Sequence, residues 1–495
     1  MAMADSEPAP KSDAAVPLWP AIAAVAAGLL AVRVGVLLFS DLTLHGDEAQ
    51  YWTWSRSFEW GYYSKPPLIA WVIGAATAVC GDVAACVRLP ATLFHIGSGL
   101  ILTLLARDLF GARTALWCGV AWLTLPAVSY SSLIMSTDTI LLFLWSVALL
   151  AYARILAGGG WRWVLLLAVA FGLGLNAKYA MAYFLLSAVI HGLAFRQVGL
   201  SAVPRLLAGF ALGAAMILPN VLWNASNGWA TMEHTADNAH WQGVVLHFDE
   251  VWEFLSAQFG VFGPIFFASL ILILLRRPRG DGALSDPAKL LISFSVPVLA
   301  VISIQALLSR ANANWAATAY PAATLLVTAY LLSGPVRIRW LKGSVGVHLA
   351  AALVLYVGVL QPDRTAEIAG RDPFEDLSGW QEIADQVESL AAAHGTETIL
   401  MDNRLMIATL AYTMRDSDLS IRAWNHDAKI DHHYEMAWLY DRARDGNVVL
   451  LITPHGVEPY EAAFAGVEAL DDLIRVDRAG EEHILHARVL TGETP

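Results

Sequence analysis

The sequence predicts an all-α polytopic membrane protein of about eleven transmembrane helices, followed by a small extracytoplasmic α/β domain. Three observations carry this. Of the 495 residues, 57% are hydrophobic and only 15% charged, with a mean hydropathy of +0.53; soluble domains carry about 25% charged residues. Apolar runs of a length that crosses a bilayer recur up to residue 361. Beyond that point charges return and the apolar runs shorten. A net charge of −12 excludes nucleic acid as a partner, because backbone phosphates require a basic face. The lipid bilayer is the partner that composition demands.

Residues 1–17 are polar and Pro/Ala-rich and are expected to be a disordered cytoplasmic N-terminus. They lack the basic start and small-residue exit site of a cleavable signal, so the first apolar run is read as an anchor. Spans are expected near 18–39, 86–105, 114–130, 133–154, 162–176, 178–195, 203–223, 252–276, 289–308, 313–333 and 345–361. With the N-terminus inside, the inner loops hold Arg107, Arg113, Arg154, Arg162, Arg196, Arg205, Arg276, Arg277, Arg279, Lys289, Arg337, Arg339 and Lys342. The outer segments before residue 362 hold only Arg56, Lys65, Arg88, Lys178 and Arg310. This asymmetry orients the chain, since Lys and Arg are retained on the cytoplasmic side.

Two outer segments, 40–85 and 224–251, are longer than turns, and long loops in compact proteins are usually functional. Within the first, LIAWVIGAATAVCG (68–81) is too short to span comfortably and reads as an interfacial or re-entrant helix. Cys80 and Cys86 in CGDVAAC are either one local disulfide or two free thiols, and Cys118 lies in an apolar run. After an odd number of spans, residues 362–495 fall outside. There GWQEIADQVESLAAAHG reads as a helix with a Gly stop, TETILMDN as a strand and RLMIATLAYTM as a helix. NVVLLITPH and EHILHARVL read as strands. No strand-linked GxGxxG or P-loop accompanies them.

Polar groups in or beside spanning helices are costly unless they line a site, and here they gather on one side. Asp47 and Glu48 follow the first span in HGDEAQYWTWSR, and Lys65 follows in GYYSKPPLIAW. Asp138 opens a span in STDTILLFLW, and Lys178 with Tyr179 occupies the hairpin GLNAKYAM. Arg310, Asn312, Asn314, Trp315 and Tyr320 cluster where the tenth span starts. Acids and cations at one interface fit an extracytoplasmic site in which a carboxylate activates a hydroxyl and cations stabilise a departing phosphate. A lipid-phosphate-linked sugar is the expected donor, with no cofactor and no bound metal. Each residue also has a plainer reading. Asp47, Glu48 and Asp138 can be helix-start acids. Lys65, Lys178 and Arg310 can reach up to lipid phosphates. Trp52, Trp54, Trp60, Tyr62 and Tyr63 can form an interfacial belt or stack on a sugar. His234, His240 and His247, and His426, His432 and His433, lack the tight spacing of a zinc site.

The blocks DEAQYWTWSR, WGYYSKPPLIAW, VRLPATLFHIGSGLILTLLARDLFG, STDTILLFLW, GLGLNAKYAM, PNVLWNASNGWATMEH and NWAATAYPA together resemble the family 39/83 class of membrane glycosyltransferases with the GT-C fold. The class includes protein O-mannosyltransferases and the bacterial lipid A aminoarabinose transferase. The resemblance covers about residues 20–335 and implies a GT-C-like core over 18–361. It also implies a polyprenyl-phosphate-linked sugar as donor and transfer on the periplasmic side of a bacterial inner membrane. By the same resemblance Asp47, assisted by Glu48, stands at the reaction centre, with Asp138 the second acid. Lys65 and Lys178 face donor phosphate or substrate carboxylate, and Tyr320 lies near the phosphate. From their place on the same outer face, Tyr62, Tyr63, Tyr179 and Arg310 are expected to line the substrate site. The expected acceptor is lipid A, lipopolysaccharide core or another glycolipid. A protein acceptor is the alternative within the enzyme class, and a lipid-linked sugar flippase is the alternative outside it. Because the outer loops offer few cations, a uronic-acid donor is not favoured.

Overall fold

In the computed structural model, residues 17–237, 245–276, 284–425 and 429–493 are described. The N-terminal residues 1–16, Arg277, Arg279, His240, His426 and part of the 224–251 loop lie outside them. Each of the eleven expected spans falls on helix. Among the described residues, seven helices are long and apolar enough to cross a membrane by themselves: Leu18–Phe39, Ala84–Phe110, Thr137–Leu156, Val203–Ser226, Asp286–Leu308, Ala313–Leu332 and Arg337–Leu360. Trp161–Ala177 and Tyr179–Phe195 are shorter, and Ala112–Thr124 continues after a break as Pro126–Ser131. The protein is thus a multi-pass membrane protein, with a bundle that mixes full-length and broken helices.

One expected span is corrected. Residues 252–276 do not form a single rod, because Phe248–Val261 and Pro264–Leu275 meet at 119°. Gly263 between them has φ +84°, and Pro264 starts the second helix without a backbone donor. Arg33 escaped the hydropathy reading altogether. It is fully buried in the first helix, donates from Nη2 to the Leu123 carbonyl (2.6 Å) and from Nε to Tyr356 Oη (3.0 Å). It thereby caps a carbonyl near the end of helix Ala112–Thr124, which stops one residue before Leu125.

The C-terminal part is built on a sheet. Strands β1 (Thr398–Met401), β2 (Ser420–Ala423), β3 (Val448–Thr453), β4 (Phe464–Ala469), β5 (Leu473–Val476) and β6 (Glu482–Glu493) take the order β2-β1-β3-β6-β4, with β5 also paired to β6. β1 is parallel to β2 and β3, whereas β6 runs antiparallel to β3, β4 and β5. The expected helix is Trp380–His394, stopped by Gly395 at φ +64°. Residues on β1 and β3 alternate between two apolar layers, as a sheet buried on both faces requires. Leu400, Val449 and Leu451 pack with Trp424, Tyr460 and Phe464 on one face. Ile399, Met401, Leu450 and Ile452 lie on the other, in one continuous cluster with Ile407 and Leu410 and with Leu44, Ala49, Trp52, Trp54 and Ile69 of the first long loop. The sheet and that loop therefore share a core.

Candidate active site

The acid-bearing segment of the first long loop is the helix Gly46–Trp54, and it starts with a reciprocal cap. His45 Nδ1 accepts from the Asp47 amide (3.2 Å), and Glu48 Oε2 accepts from the His45 amide (3.1 Å). Glu48 is also held by an ion pair. It is 1% exposed and is bound by Arg88 through Nη2 (2.8 Å) and Nε (3.1 Å), while the Met135 amide donates to its other oxygen at 2.8 Å. Both of its oxygens are thus engaged within the protein and turned away from solvent. Removing one partner of a buried ion pair strands the other charge, at a cost of about 3–5 kcal/mol. Glu48→Ala is therefore expected to lower the unfolding temperature of the purified protein clearly, whereas Asp47→Asn leaves it nearly unchanged.

Asp47, on the next helical position, points to a different place. Its Oδ1 accepts from Arg404 Nη1 at 2.8 Å, and the same Nη1 bonds Gln50. Burial tends to raise the Asp47 carboxyl, but Arg404, with His45 and Lys65 behind it, holds it below the usual carboxylate range. Arg404 opens the helix Arg404–Thr413, which follows β1 and is capped by Asn403 Oδ1 accepting from the Met406 amide (3.0 Å). The two helices approach closely because residue 46 is glycine; a Cβ there would meet Leu405 at 2.8 Å. A clasp fixes their other ends. Cys80 and Cys86 pair as a disulfide, and within the loop they close, Asp82 accepts from Trp52 Nε1 (2.8 Å) while its carbonyl accepts from Tyr412 Oη (2.9 Å).

Asp138 lies in the first turn of the helix Thr137–Leu156. Its Oδ1 takes Lys178 Nζ at 2.7 Å and its Oδ2 takes Asn314 Nδ2 at 2.8 Å. Lys178 ends the helix Trp161–Ala177, so three separate segments meet at this carboxylate. Lys65 lies within the electrostatic reach of both acids. Burial is the main force lowering its pKa; Lys178 and Arg404 lower it further, against the opposing fields of Asp47 and Asp138. Among the described residues no carboxylate lies within 4 Å of Lys65 Nζ. Three cations thus face two acids, and the uncommitted one is Lys65. His234 borders the group. Burial, then Lys65 and Arg404, push it down to about 4, so it is neutral at pH 7.

The remaining expected residues are placed less centrally. Tyr179 Oη donates to Asn220 Oδ1 at 2.7 Å, and Tyr63 Oη donates to the Ile430 carbonyl at 3.0 Å. Tyr62 is fully buried and stacks on Trp54 at 4.7 Å, with its hydroxyl bound to the carbonyls of Trp54 and Ser57. Both rings are buried in the protein. Tyr320 is 4% exposed, stacks on Phe262 and donates to Gln258 inside the bundle. Arg310 is exposed, with no carboxylate within 4 Å among the described residues. Arg404 is the participant that sequence reasoning missed. Its one local signal is its position just after the carboxyl end of a strand, where open α/β sheets present ligand-facing residues.

Residues 64–223, which include Lys65, Asp138 and Lys178, match the family described as dolichyl-phosphate-mannose-protein mannosyltransferase. The lipid A galacturonosyltransferase RgtD of Rhizobium johnstonii is 35% identical over 423 residues, covering 85% of this chain and 88% of that protein. The lipopolysaccharide core galacturonosyltransferase RgtA of the same organism is 29% identical over 188 residues, 37% of this chain and 38% of that one. The crystal structure of ArnT from Cupriavidus metallidurans bound to undecaprenyl phosphate superimposes with a TM-score of 0.65 at 18% identity. That match covers 94% of this chain and 97% of the other, a likeness of fold. The chain belongs to the GT-C family of membrane glycosyltransferases that includes the lipid A galacturonosyltransferase RgtD.

Proposed function

We propose that this glycosyltransferase moves a hexuronic acid from a polyprenyl-phosphate donor to lipid A on the periplasmic face of a bacterial inner membrane. The observation that carries the reading is the cluster of Asp47, Asp138, Lys65, Lys178 and Arg404, with Lys65 left uncommitted. The acceptor hydroxyl oxygen attacks the anomeric carbon as the bond from that carbon to the phosphate oxygen breaks. Asp47 takes the hydroxyl proton, and polyprenyl phosphate leaves with an added negative charge that Lys65 neutralises. Asp138 and Asn314 hold Lys178 beside the same phosphate. The charge asymmetry of the loops and the paired Cys80 and Cys86 support the periplasmic orientation, since disulfides persist in oxidising compartments.

The sugar reading reverses the expectation from sequence, which weighed only cations before residue 362. Arg404 adds a guanidinium whose planar fork matches a carboxylate, and the relatives RgtD and RgtA are named for galacturonic acid transfer. A uronate that engages Arg404 also draws it from Asp47. The Asp47 carboxyl then rises toward an ordinary range and becomes a better base, so donor binding arms the nucleophile's partner. Replacing Arg404 tests this. With purified enzyme, Arg404→Gln is expected to reduce kcat/KM for a polyprenyl-phosphate hexuronate by about 10²-fold and to change the matching neutral hexose donor far less. Equal losses on both donors would remove the carboxylate contact from the account.

A further inference from the structure

Away from the Asp47 group, the junction between the last membrane helix and the sheet carries a second cluster of acids. Glu375 lies in a short helical turn, and Asp477 and Glu481 bracket the turn between β5 and β6. One carboxylate oxygen from each falls within 4.8 Å of the others. That is the span available to two oxygens that both sit roughly 2.4 Å from one calcium ion. Glu375 and Glu481 are exposed, but Asp477 is 6% exposed. Its Oδ1 accepts from the amides of Ala479 (2.8 Å) and Glu481 (2.9 Å), while its Oδ2 is buried with no hydrogen-bond partner among the described residues. A buried carboxylate oxygen left in this state is costly until a hydrogen-bond donor or a cation meets it, and two neighbouring carboxylates favour the cation.

The neighbouring arginines do not supply that cation. Arg475 Nη1 is committed to the carbonyls of Glu375 (2.6 Å) and Ser378 (3.0 Å), and its guanidinium lies over Trp380. Arg478 reaches Asp363 (3.2 Å) and Asp372 (3.5 Å). No side-chain cation among the described residues comes within 4 Å of Glu375, Asp477 or Glu481. The segment is nevertheless held tightly in place, because Gly379 at φ +72° approaches the Val476 carbonyl where a Cβ would lie 2.8 Å from it.

We propose that Glu375, Asp477 and Glu481 bind a hard divalent cation of the calcium class, which locks the connection from the last membrane helix to the β5–β6 turn. The donors are all oxygen, with no His or Cys, which disfavours zinc and the softer metals. Carboxylates on two separate segments suit the large, adaptable coordination sphere of calcium better than the compact octahedron of magnesium. The bound ion gives Asp477 Oδ2 its missing partner and offsets the local excess of acid. The site is separate from the transfer chemistry and stands whether or not the sugar reading above holds.

The test uses full-length protein in detergent, free of lipopolysaccharide and stripped with EGTA, with thermal unfolding followed as calcium chloride is added. The expected result is a saturable rise in unfolding temperature, half-maximal at roughly 0.1–1 mM as in extracellular calcium modules. Magnesium chloride at equal concentration should give a smaller rise. Asp477→Asn, which keeps the turn's acceptor, should abolish the calcium response. Should that variant not fold, Glu375→Gln combined with Glu481→Gln changes only exposed positions and must abolish it too. No response in the wild type, a response unaltered in the double variant, or a magnesium response as large as the calcium one would overturn the proposal.

Discussion

Asp47→Asn is expected to lower kcat by about 10²–10⁴-fold, the contribution of a positioned general base. Asparagine keeps an oxygen that Arg404 can donate to, so the contact between the helices Gly46–Trp54 and Arg404–Thr413 survives. What is lost is the ability to take the acceptor proton. KM for the donor should change little, because the base is not the group that binds phosphate. Steady-state kinetics of the purified variant read this directly. A large fall in unfolding temperature accompanying the activity loss would instead make Asp47 a structural acid like its neighbour Glu48.

Lys65→Ala is expected to cost about 10²–10³-fold in kcat/KM, comparable to removing one donor that stabilises developing charge. Its pH behaviour is a sharper signature. Burial, Lys178 and Arg404 lower the Lys65 pKa, and the charged form is the one that meets phosphate. Activity should therefore be full below the lowered pKa and fall as pH rises through it, earlier than an ordinary lysine would allow. For kcat/KM the profile reports the free enzyme. Lys65→Arg keeps its charge throughout that range, so its weaker activity should lack the early alkaline fall. An unchanged profile in Lys65→Arg would assign the alkaline limb to another group.

Much of this architecture is legible before any coordinates, because membrane spans announce themselves by length and apolarity. Asp47, Lys65, Asp138 and Lys178 could be drawn to one face from loop order and charge asymmetry alone. The structure places the four close enough to form one electrostatic group. The failures have physical causes. A hydropathy window averages over Phe262, Gly263 and Pro264 and cannot see a 119° bend. β2 and β5 alternate in burial but are only four residues long, too few for the alternation to stand out in sequence, and β4 is largely solvent-facing without alternation. Glu48 and Asp47 adjoin in sequence, yet successive helix positions point about 100° apart. One therefore enters the core and the other the site. Arg404 lies 357 residues from the carboxylate it grips, and no local pattern encodes that meeting. It depends on Gly46 and on the Asp82 clasp. Tyr62 and Tyr320 sit in blocks that carry the family resemblance, and the hydroxyl of each is hydrogen-bonded within the protein, a contact that no sequence block encodes.

The most direct measurement is mass spectrometry of lipid A from cells that lack this protein and express wild type, Asp47→Asn or neither. The account predicts a hexuronic-acid-sized addition to lipid A with wild type, absent from both of the others. Identical lipid A in all three strains, or the same addition with Asp47→Asn as with wild type, would contradict it.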